Sequence, residues 1–220
     1  MTTLVRWSGG CWVAAGVLTL PELAHPDVFE TGFAAGSRGT LWPAVHVAWV
    51  LVALLTLFGL AGVAARYGTA LGRLGAAGLV LSVIGLVVAA GLFLSEALIF
   101  PVVARDDPAL LGFSGALGGS HALWAAGGLA GLWFVGLVLI GVAVDRAHLL
   151  PGRAGLVLAG ATALFALAEG PFVPVLGKVS VVLLAGALVW FGVALLQAFA
   201  VDADRGRPLP TMSAGERTPR

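Results

Sequence analysis

The residues of this chain that could bind a metal or transfer a proton are a small set of histidines and glutamates beside long apolar runs. The set is His25, His46, Glu96, His121, His148 and Glu169. Imidazole nitrogens and carboxylate oxygens suit Zn, Fe or Mn as ligands. Two histidines on separate helices could instead hold a haem through its two axial positions. A glutamate with a histidine alongside could also take up and release protons.

The elements that must position these residues are membrane helices. Of the 220 residues, 60% are hydrophobic and 10% are charged, and the mean hydropathy is +1.03. Soluble domains contain about 45–50% apolar and about 25% charged residues, so a soluble fold is excluded. Six helices of about 20 residues would use most of this length. The composition therefore predicts an all-α membrane protein, a bundle of six transmembrane helices.

Six apolar stretches of the chain give the predicted spans. They are residues 7–20, 42–65, 74–99, 121–144, 154–167 and 175–200. The first is the weakest and could be a signal peptide, but Glu22, Leu23 and Ala24 form a poor cleavage site, which favours a retained helix. Residues 1–200 then form one transmembrane domain. Residues 201–220, with their prolines and scattered charges, are predicted to be a disordered cytoplasmic tail.

Basic residues orient the predicted bundle. With the N-terminus inside, most arginines fall in cytoplasmic segments, and the outer segments hold only Arg38, Arg105 and Lys178. Because basic residues are retained on the cytoplasmic side, both termini are predicted to be cytoplasmic. The expected location is a bacterial plasma membrane, with lipid as the surroundings of the bundle.

This topology places all of the histidines and glutamates named above, except His148, in the outer third of the membrane. The spacing also suggests a duplicated helical hairpin, spans 2–3 and 4–5. Each copy has His-x-x-Trp at the start and Glu with a nearby Pro at the end: His46, Trp49, Glu96 and Pro101, then His121, Trp124, Glu169 and Pro171. The distances between the motifs differ, so chance similarity between glycine- and leucine-rich spans stays open.

A duplicated hairpin would bring four side chains together as candidate ligands of a metal or haem. They are His46, Glu96, His121 and Glu169. No His-x-x-x-His, His-Glu-x-x-His or Cys-x-x-Cys spacing enforces ligation. The competing interpretation is a set of interfacial residues beside an ordinary aromatic belt of Trp42, Trp49 and Trp124.

Other patterns exclude function classes or predict packing. A net charge of +1 without a concentrated basic face excludes nucleic acid as a partner. No glycine-rich phosphate loop follows a strand, which excludes nucleotide binding. The single Cys11 excludes an internal disulfide bond.

Gly127 and Gly131 form a GxxxG pair, continued by Gly136 and Gly141, which predicts tight helix packing or a dimer face.

Three short motifs carry a resemblance. His25 precedes Pro26, Trp42-Pro43 precedes His46, and Glu96 precedes Pro101. In these motifs the chain resembles a broad group of small uncharacterised multi-pass membrane proteins that are common in GC-rich bacteria. The resemblance covers most of the chain. It implies a six-helix bundle in the plasma membrane and implies nothing about activity.

The leading functional hypothesis is non-catalytic. The predicted interior lacks ionisable groups, and the first outer loop, residues 21–41, is long enough to cover a pocket with His25, Phe29 and Phe33. We therefore expect the outer half to bind a hydrophobic ligand or a partner protein, another membrane protein or a second copy. One alternative is a metal- or haem-dependent membrane oxidoreductase or hydrolase with His46, His121 and Glu96. The other is a proton-coupled carrier using Glu96.

Overall fold

α-Helices dominate the computed structural model, which describes residues 2–170 and 173–204. The helices are α1 (Thr2–Thr19), α2 (Val28–Thr31), α3 (Phe33–Ser37), α4 (Leu41–Tyr67), α5 (Gly72–Leu98), α6 (Phe100–Asp106), α7 (His121–Ala130), α8 (Leu132–Arg146), α9 (Ala154–Ala168) and α10 (Leu176–Asp204). Short 3-10 turns cover Leu20–Ala24, Pro108–Leu111 and Pro151–Arg153. No strand occurs within those described ranges, so the predicted all-α class is confirmed.

Five helical segments within the described residues are long and apolar enough to cross a membrane. They are Leu41–Tyr67, Gly72–Asp106, His121–Arg146, Pro151–Ala168 and Leu176–Ala200. A helix satisfies its own backbone hydrogen bonds, which is what an apolar segment needs in lipid. Helix α10 continues to Asp204, past the predicted start of the disordered tail at residue 201. Residues 205–220 of that predicted tail lie outside the described residues.

The long helices pack as a closed ring. Neighbours in the ring are neighbours along the chain: α1 packs on α4, α4 on α5, α5 on α7 and α8, α8 on α9, and α9 on α10. Helix α10 then packs on α1 and closes the ring. The buried core between the helices includes Trp12, Trp49, Trp133, Leu158 and Phe191.

Glycines permit the closest helix contacts. At Gly85 of α5 an added Cβ would overlap the backbone nitrogen of Trp133 in α8. The α8–α9 contact is equally close, since Gly141 and Gly155 face each other's carbonyl oxygens. By contrast, a Cβ at Gly127 would meet nothing within 4 Å. The tight packing predicted for this glycine series is therefore wrong at Gly127, where the space is empty, and confirmed at Gly136 and Gly141, where an added Cβ would overlap α5 and α9.

Short helices form a cap over one end of the ring. Helices α2, α3 and α6 meet there, together with the 3-10 turn Pro108–Leu111. They enclose a second apolar cluster of Val28, Trp42, Phe100, Ala104 and Leu111. The Arg38 Nε donates to the Ala104 carbonyl oxygen at 2.9 Å, which ties the two halves of the cap together. We call this end, at which α4 and α7 begin, the cavity end.

Candidate functional site

A cavity of about 320 Å³ lies inside the ring directly below the cap. Helices α4, α5, α7, α8 and α9 contribute to its walls, and the chain after α1 contributes to its upper side. The polar side chains among its described lining are Glu22, His25, His46, Glu96 and Glu169 together with the indole N–H groups of four tryptophans. The remaining side chains that face it are apolar or aromatic, so the cavity has a polar end and an apolar body.

His46 and Glu96 form the central polar pair of the cavity. His46 Nδ1 lies 2.8 Å from the Trp42 carbonyl oxygen, and a carbonyl only accepts, so Nδ1 carries a hydrogen. His46 Nε2 lies 3.1 Å from Glu96 Oε2. A contact at this distance needs one proton between the two atoms, on either the imidazole or the carboxyl group. In both arrangements the net charge of the pair is zero.

Glu22 enters the cavity from the 3-10 turn that follows α1. Its side chain is buried, with 7% of the residue exposed, and the Trp49 indole N–H donates to Oε2 at 2.5 Å. Burial raises the pKa of Glu22 to about 7, because a buried carboxylate loses its hydration. The hydrogen bond from Trp49 opposes this shift, and the nearby Glu169 carboxylate adds to it.

His25 closes the polar end beneath the cap. Its ring lies 4.9 Å from Trp42 and 5.1 Å from His46, measured between ring centroids. Burial lowers the pKa of His25 to about 3, with the neighbouring His46 adding to the shift. The imidazole of His25 is therefore neutral at physiological pH, since its pKa lies far below 7.

Lys178 of α10 connects three of the residues at the polar end through hydrogen bonds. Its Nζ donates to Glu169 Oε1 at 3.0 Å, to the Glu22 carbonyl oxygen at 3.2 Å and to the His25 carbonyl oxygen at 3.4 Å. The Glu169 side chain is 4% exposed. A buried carboxylate needs such a partner, so Lys178 both neutralises Glu169 and fixes the turn that carries Glu22.

Aromatic rings form much of the apolar body. Trp49 lies 5.6 Å from Phe93, 5.7 Å from Phe165 and 6.0 Å from Trp133, measured between ring centroids. Phe134 lies 5.4 Å from Phe165. These rings come from α4, α5, α8 and α9, so they surround the space from several sides of the ring.

The cavity is open on the side of α7. Helix α7 packs on α5 but makes no comparable contact with α9 in the described residues, and both helices line the cavity. Three of the described lining residues are exposed, Trp124 and Gly127 of α7 and Phe29 of α2. A ligand could therefore enter between α7 and α9 without unfolding the cap.

The structure brings some of the predicted metal ligands together and leaves one apart. His46 and Glu96 are in contact, and Glu169 lines the same cavity but is paired with Lys178. His121 is exposed at the start of α7 and is not among the described lining residues. In residues 2–170 and 173–204 no group of three or more His, Cys, Asp or Glu side chains is arranged to hold a metal ion. Ligation of metal or haem by these side chains stays a prediction.

The predicted ligand loop lies at the cavity. His25, Phe29 and Phe33 all line it. Phe33 also packs against Phe100 of α6, with ring centroids 6.0 Å apart. The aromatic belt predicted as the competing interpretation is wrong for Trp42 and Trp49, which are 1% and 4% exposed and turn into the bundle. Trp124 remains 48% exposed.

Two residues of the site were not among the predicted ones. The sequence patterns predict no place in the site for Glu22, which follows the first apolar run, or for Lys178, the only lysine of the chain. A usable signal existed for Glu22, because it follows the first apolar run directly and so lies level with His46. Nothing in the spacing indicated that Trp49 would bind it.

Comparisons with known proteins gave no match: no family model matches the chain, and neither a curated protein nor a solved structure shows significant similarity.

Proposed function

We propose that this protein is an integral membrane protein that binds an amphiphilic ligand without transforming it. The cavity carries this proposal: its polar end is built from Glu22, His25, His46 and Glu96, and its body from aromatic rings. Such a lining complements a molecule with one polar head and an apolar body. Binding sites for small molecules commonly combine an apolar wall with a few placed polar groups.

A non-catalytic role is supported by the state of the polar groups. Both ring nitrogens of His46 are engaged, one by the Trp42 carbonyl and one by Glu96. The Glu169 carboxylate is bound by Lys178. General acid–base catalysis needs a group that can reach the substrate with its proton or lone pair. His46 and Glu169 are held by partners within the protein, so we assign these two side chains to the shape of the cavity rather than to a reaction.

Six spans are the membrane topology that we propose, with α1 as the sixth. Trp12 and Ala15 of α1 are fully buried, and α1 packs against both α4 and α10. The excess of arginine at the opposite end of the bundle supports a cavity end that faces outward, with both termini cytoplasmic, in a bacterial plasma membrane. The duplicated hairpin stays a prediction, as does an assembly with a second copy or another membrane protein.

Filling the cavity tests the proposed function. Gly127 lines the cavity and has open space where a side chain would project, so Gly127→Phe is expected to occupy the cavity without disturbing helix contacts. We would measure binding of radiolabelled decylamine, decanol and decanoate to the protein in lipid nanodiscs, with binding to empty nanodiscs subtracted. At least one probe is expected to bind saturably at one site per protein. Its affinity is expected to fall about tenfold or more in Gly127→Phe.

Gly128→Phe is the matched control. Gly128 is the next residue of α7, also has open space beside it, and is not among the described lining residues. This variant adds the same ring to the same helix and is expected to bind the probe like the native protein. Absence of saturable binding for all three probes would overturn the proposal. Native affinity in Gly127→Phe would also overturn it.

A further inference from the structure

We propose that the ligand is a cationic amphiphile, whose protonated amine head binds the carboxylate of Glu22 at the polar end of the cavity. This inference rests on the proposed function and adds the charge and the anchor of the ligand. Three observations support it. The charges of the other groups around the cavity sum to zero, Glu22 lines the cavity, and aromatic rings line the same cavity.

The charged groups other than Glu22 form neutral sets. His46 and Glu96 share one proton, so their sum is zero. Lys178 neutralises Glu169 at 3.0 Å. His25 is neutral because of its burial. The charge at the polar end therefore depends on Glu22: it is zero when Glu22 is protonated and negative when Glu22 is ionised.

The position of Glu22 suits it to a ligand. It lines the cavity, and the Trp49 N–H bonds to Oε2. Lys178 contacts the backbone oxygen of Glu22 and places its charge on Glu169. We therefore assign Oε1 of Glu22 to the head of the ligand. An ammonium group there would supply the counter-charge that a buried carboxylate needs, through a charge-assisted hydrogen bond.

The remaining lining also favours a cation over an anion. The described lining residues include no lysine or arginine. The rings of Trp42, Trp49 and Phe93 line the cavity beside these polar groups, and aromatic rings attract ammonium groups. An anionic head would meet the ionised carboxylate of Glu22 and the electron-rich aromatic rings, both of which repel it. A neutral head would leave an ionised Glu22 without a counter-charge.

Binding of the amine is expected to release a proton. The groups that act on Glu22 are Glu169 from the end of α9, Lys178 from α10, and His46 and Trp49 from α4. Together with burial they raise its pKa to about 7, so much of the protein holds a proton on Glu22 at about pH 6. The ammonium head replaces this proton, which leaves to solvent. The affinity for an amine should therefore rise between about pH 6 and pH 8.

The experiment compares decylamine, decanol and decanoate, which share one chain and differ in head group, in the nanodisc assay at about pH 8. Decylamine is expected to bind about tenfold or more tightly than decanol, and decanoate more weakly than either. Glu22→Gln keeps the size of the side chain and removes its charge, so the preference for decylamine over decanol should disappear. Asp106→Asn removes an exposed carboxylate outside the cavity and should leave the preference unchanged.

A second measurement covers the case in which Glu22→Gln does not fold. In the native protein the decylamine affinity should rise several-fold from about pH 6 to pH 8, whereas the decanol affinity should not. Equal or tighter binding of decanol or decanoate at about pH 8 would overturn the inference, as would a preference for decylamine that survives Glu22→Gln. These results would not contradict the proposed function if the affinity for the preferred probe still falls in Gly127→Phe and is unchanged in Gly128→Phe.

Discussion

Glu22 and His25 lie three residues apart in the chain, and burial shifts their pKa values in opposite directions. Burial penalises the charged form of each group. For Glu22 the charged form is the deprotonated one, so the pKa rises from 4.5 to about 7. For His25 the charged form is the protonated one, so the pKa falls from 6.5 to about 3. Both side chains are therefore stable in their neutral forms at mildly acidic pH.

These shifts give stability contributions with opposite pH dependence. The contribution of Glu22 is fully present below pH 4.5 and is lost as the pH rises to about 7, because the folded protein holds the proton more tightly than the unfolded chain does. The contribution of His25 is fully present above pH 6.5 and is lost as the pH falls towards 3. A comparison of variant with native protein is needed to isolate either one.

Glu22→Gln is expected to become progressively more stable than the native protein as the pH rises from 4.5 to about 7, and to keep that advantage above pH 7. The reason is that the native protein must then carry a buried carboxylate, whereas glutamine stays neutral. The shift corresponds to a gain of up to about 3 kcal/mol in the free energy of unfolding. The apparent Tm of both proteins in detergent, measured across this pH range, checks it.

Asp106→Asn is the control for this pH series. Asp106 is exposed and, within the described residues, pairs with the neighbouring Arg105 at 2.9 Å. Its difference from the native Tm should stay flat between pH 4.5 and 7. A flat difference for Glu22→Gln as well would contradict the assignment of the pH dependence to Glu22.

At the scale of the elements, the surroundings of each glycine show which helices are in close contact and which are not. Gly85 of α5 sits against the backbone of α8, at the level of Trp133. Gly127 of α7 faces the cavity instead. Because lipid is as apolar as the core, close packing supplies much of the association energy of membrane helices. The cavity therefore exists where α7 lacks such a contact with α9.

Gly85→Val is expected to destabilise the bundle by about 1–3 kcal/mol, because the new side chain would force α5 and α8 apart. Gly91→Val in the same helix is the matched variant. Gly91 has nothing within 4 Å of an added Cβ, and both variants carry the same intrinsic helix cost of valine. The apparent Tm in detergent should fall clearly for Gly85→Val and little for Gly91→Val. An equal loss in the two variants would refute a close α5–α8 contact.

At the scale of the whole molecule, the ring and its cap make one end of the bundle different from the other. The cap and the polar side chains of the cavity share the end at which α4 and α7 begin. The opposite end holds the short α4–α5 and α8–α9 connections, each of which is flanked by arginines. This asymmetry supports the proposed orientation, in which the cavity end faces outward.

Cysteine labelling tests the proposed topology. In a Cys11→Ala background, Asp106→Cys is expected to react with a membrane-impermeant maleimide in intact cells, because Asp106 is exposed at the cavity end. Arg73→Cys, at the other end, should react only after permeabilisation. Arg6→Cys should behave like Arg73→Cys if α1 crosses the membrane and completes six spans. Labelling of Arg6→Cys in intact cells would reduce the count to five, and labelling of Arg73→Cys there would invert the bundle.

The sequence by itself determined the helices of the four longest apolar stretches, since an apolar run of about 18 residues or more satisfies its backbone in a membrane as a helix. It also determined the common level of His46 and Glu96, because a residue's depth follows from its distance to the helix end. Similar reasoning placed His25, Phe29 and Phe33 near that level. These inferences depend on local composition and on length along the chain, which the sequence states directly.

Tertiary structure alone decided which side of each helix faces inward. Core and lipid are both apolar, so the spans carry little amphipathic pattern to fix their rotation. Only packing shows that Trp49 turns inward to bind Glu22, that Lys178 pairs with Glu169, and that His121 is exposed and not among the described lining residues. The same limit applies to Gly127, whose GxxxG spacing predicts a helix contact and whose neighbourhood is open. A site between helices depends on these rotations, and the folded ring fixes them.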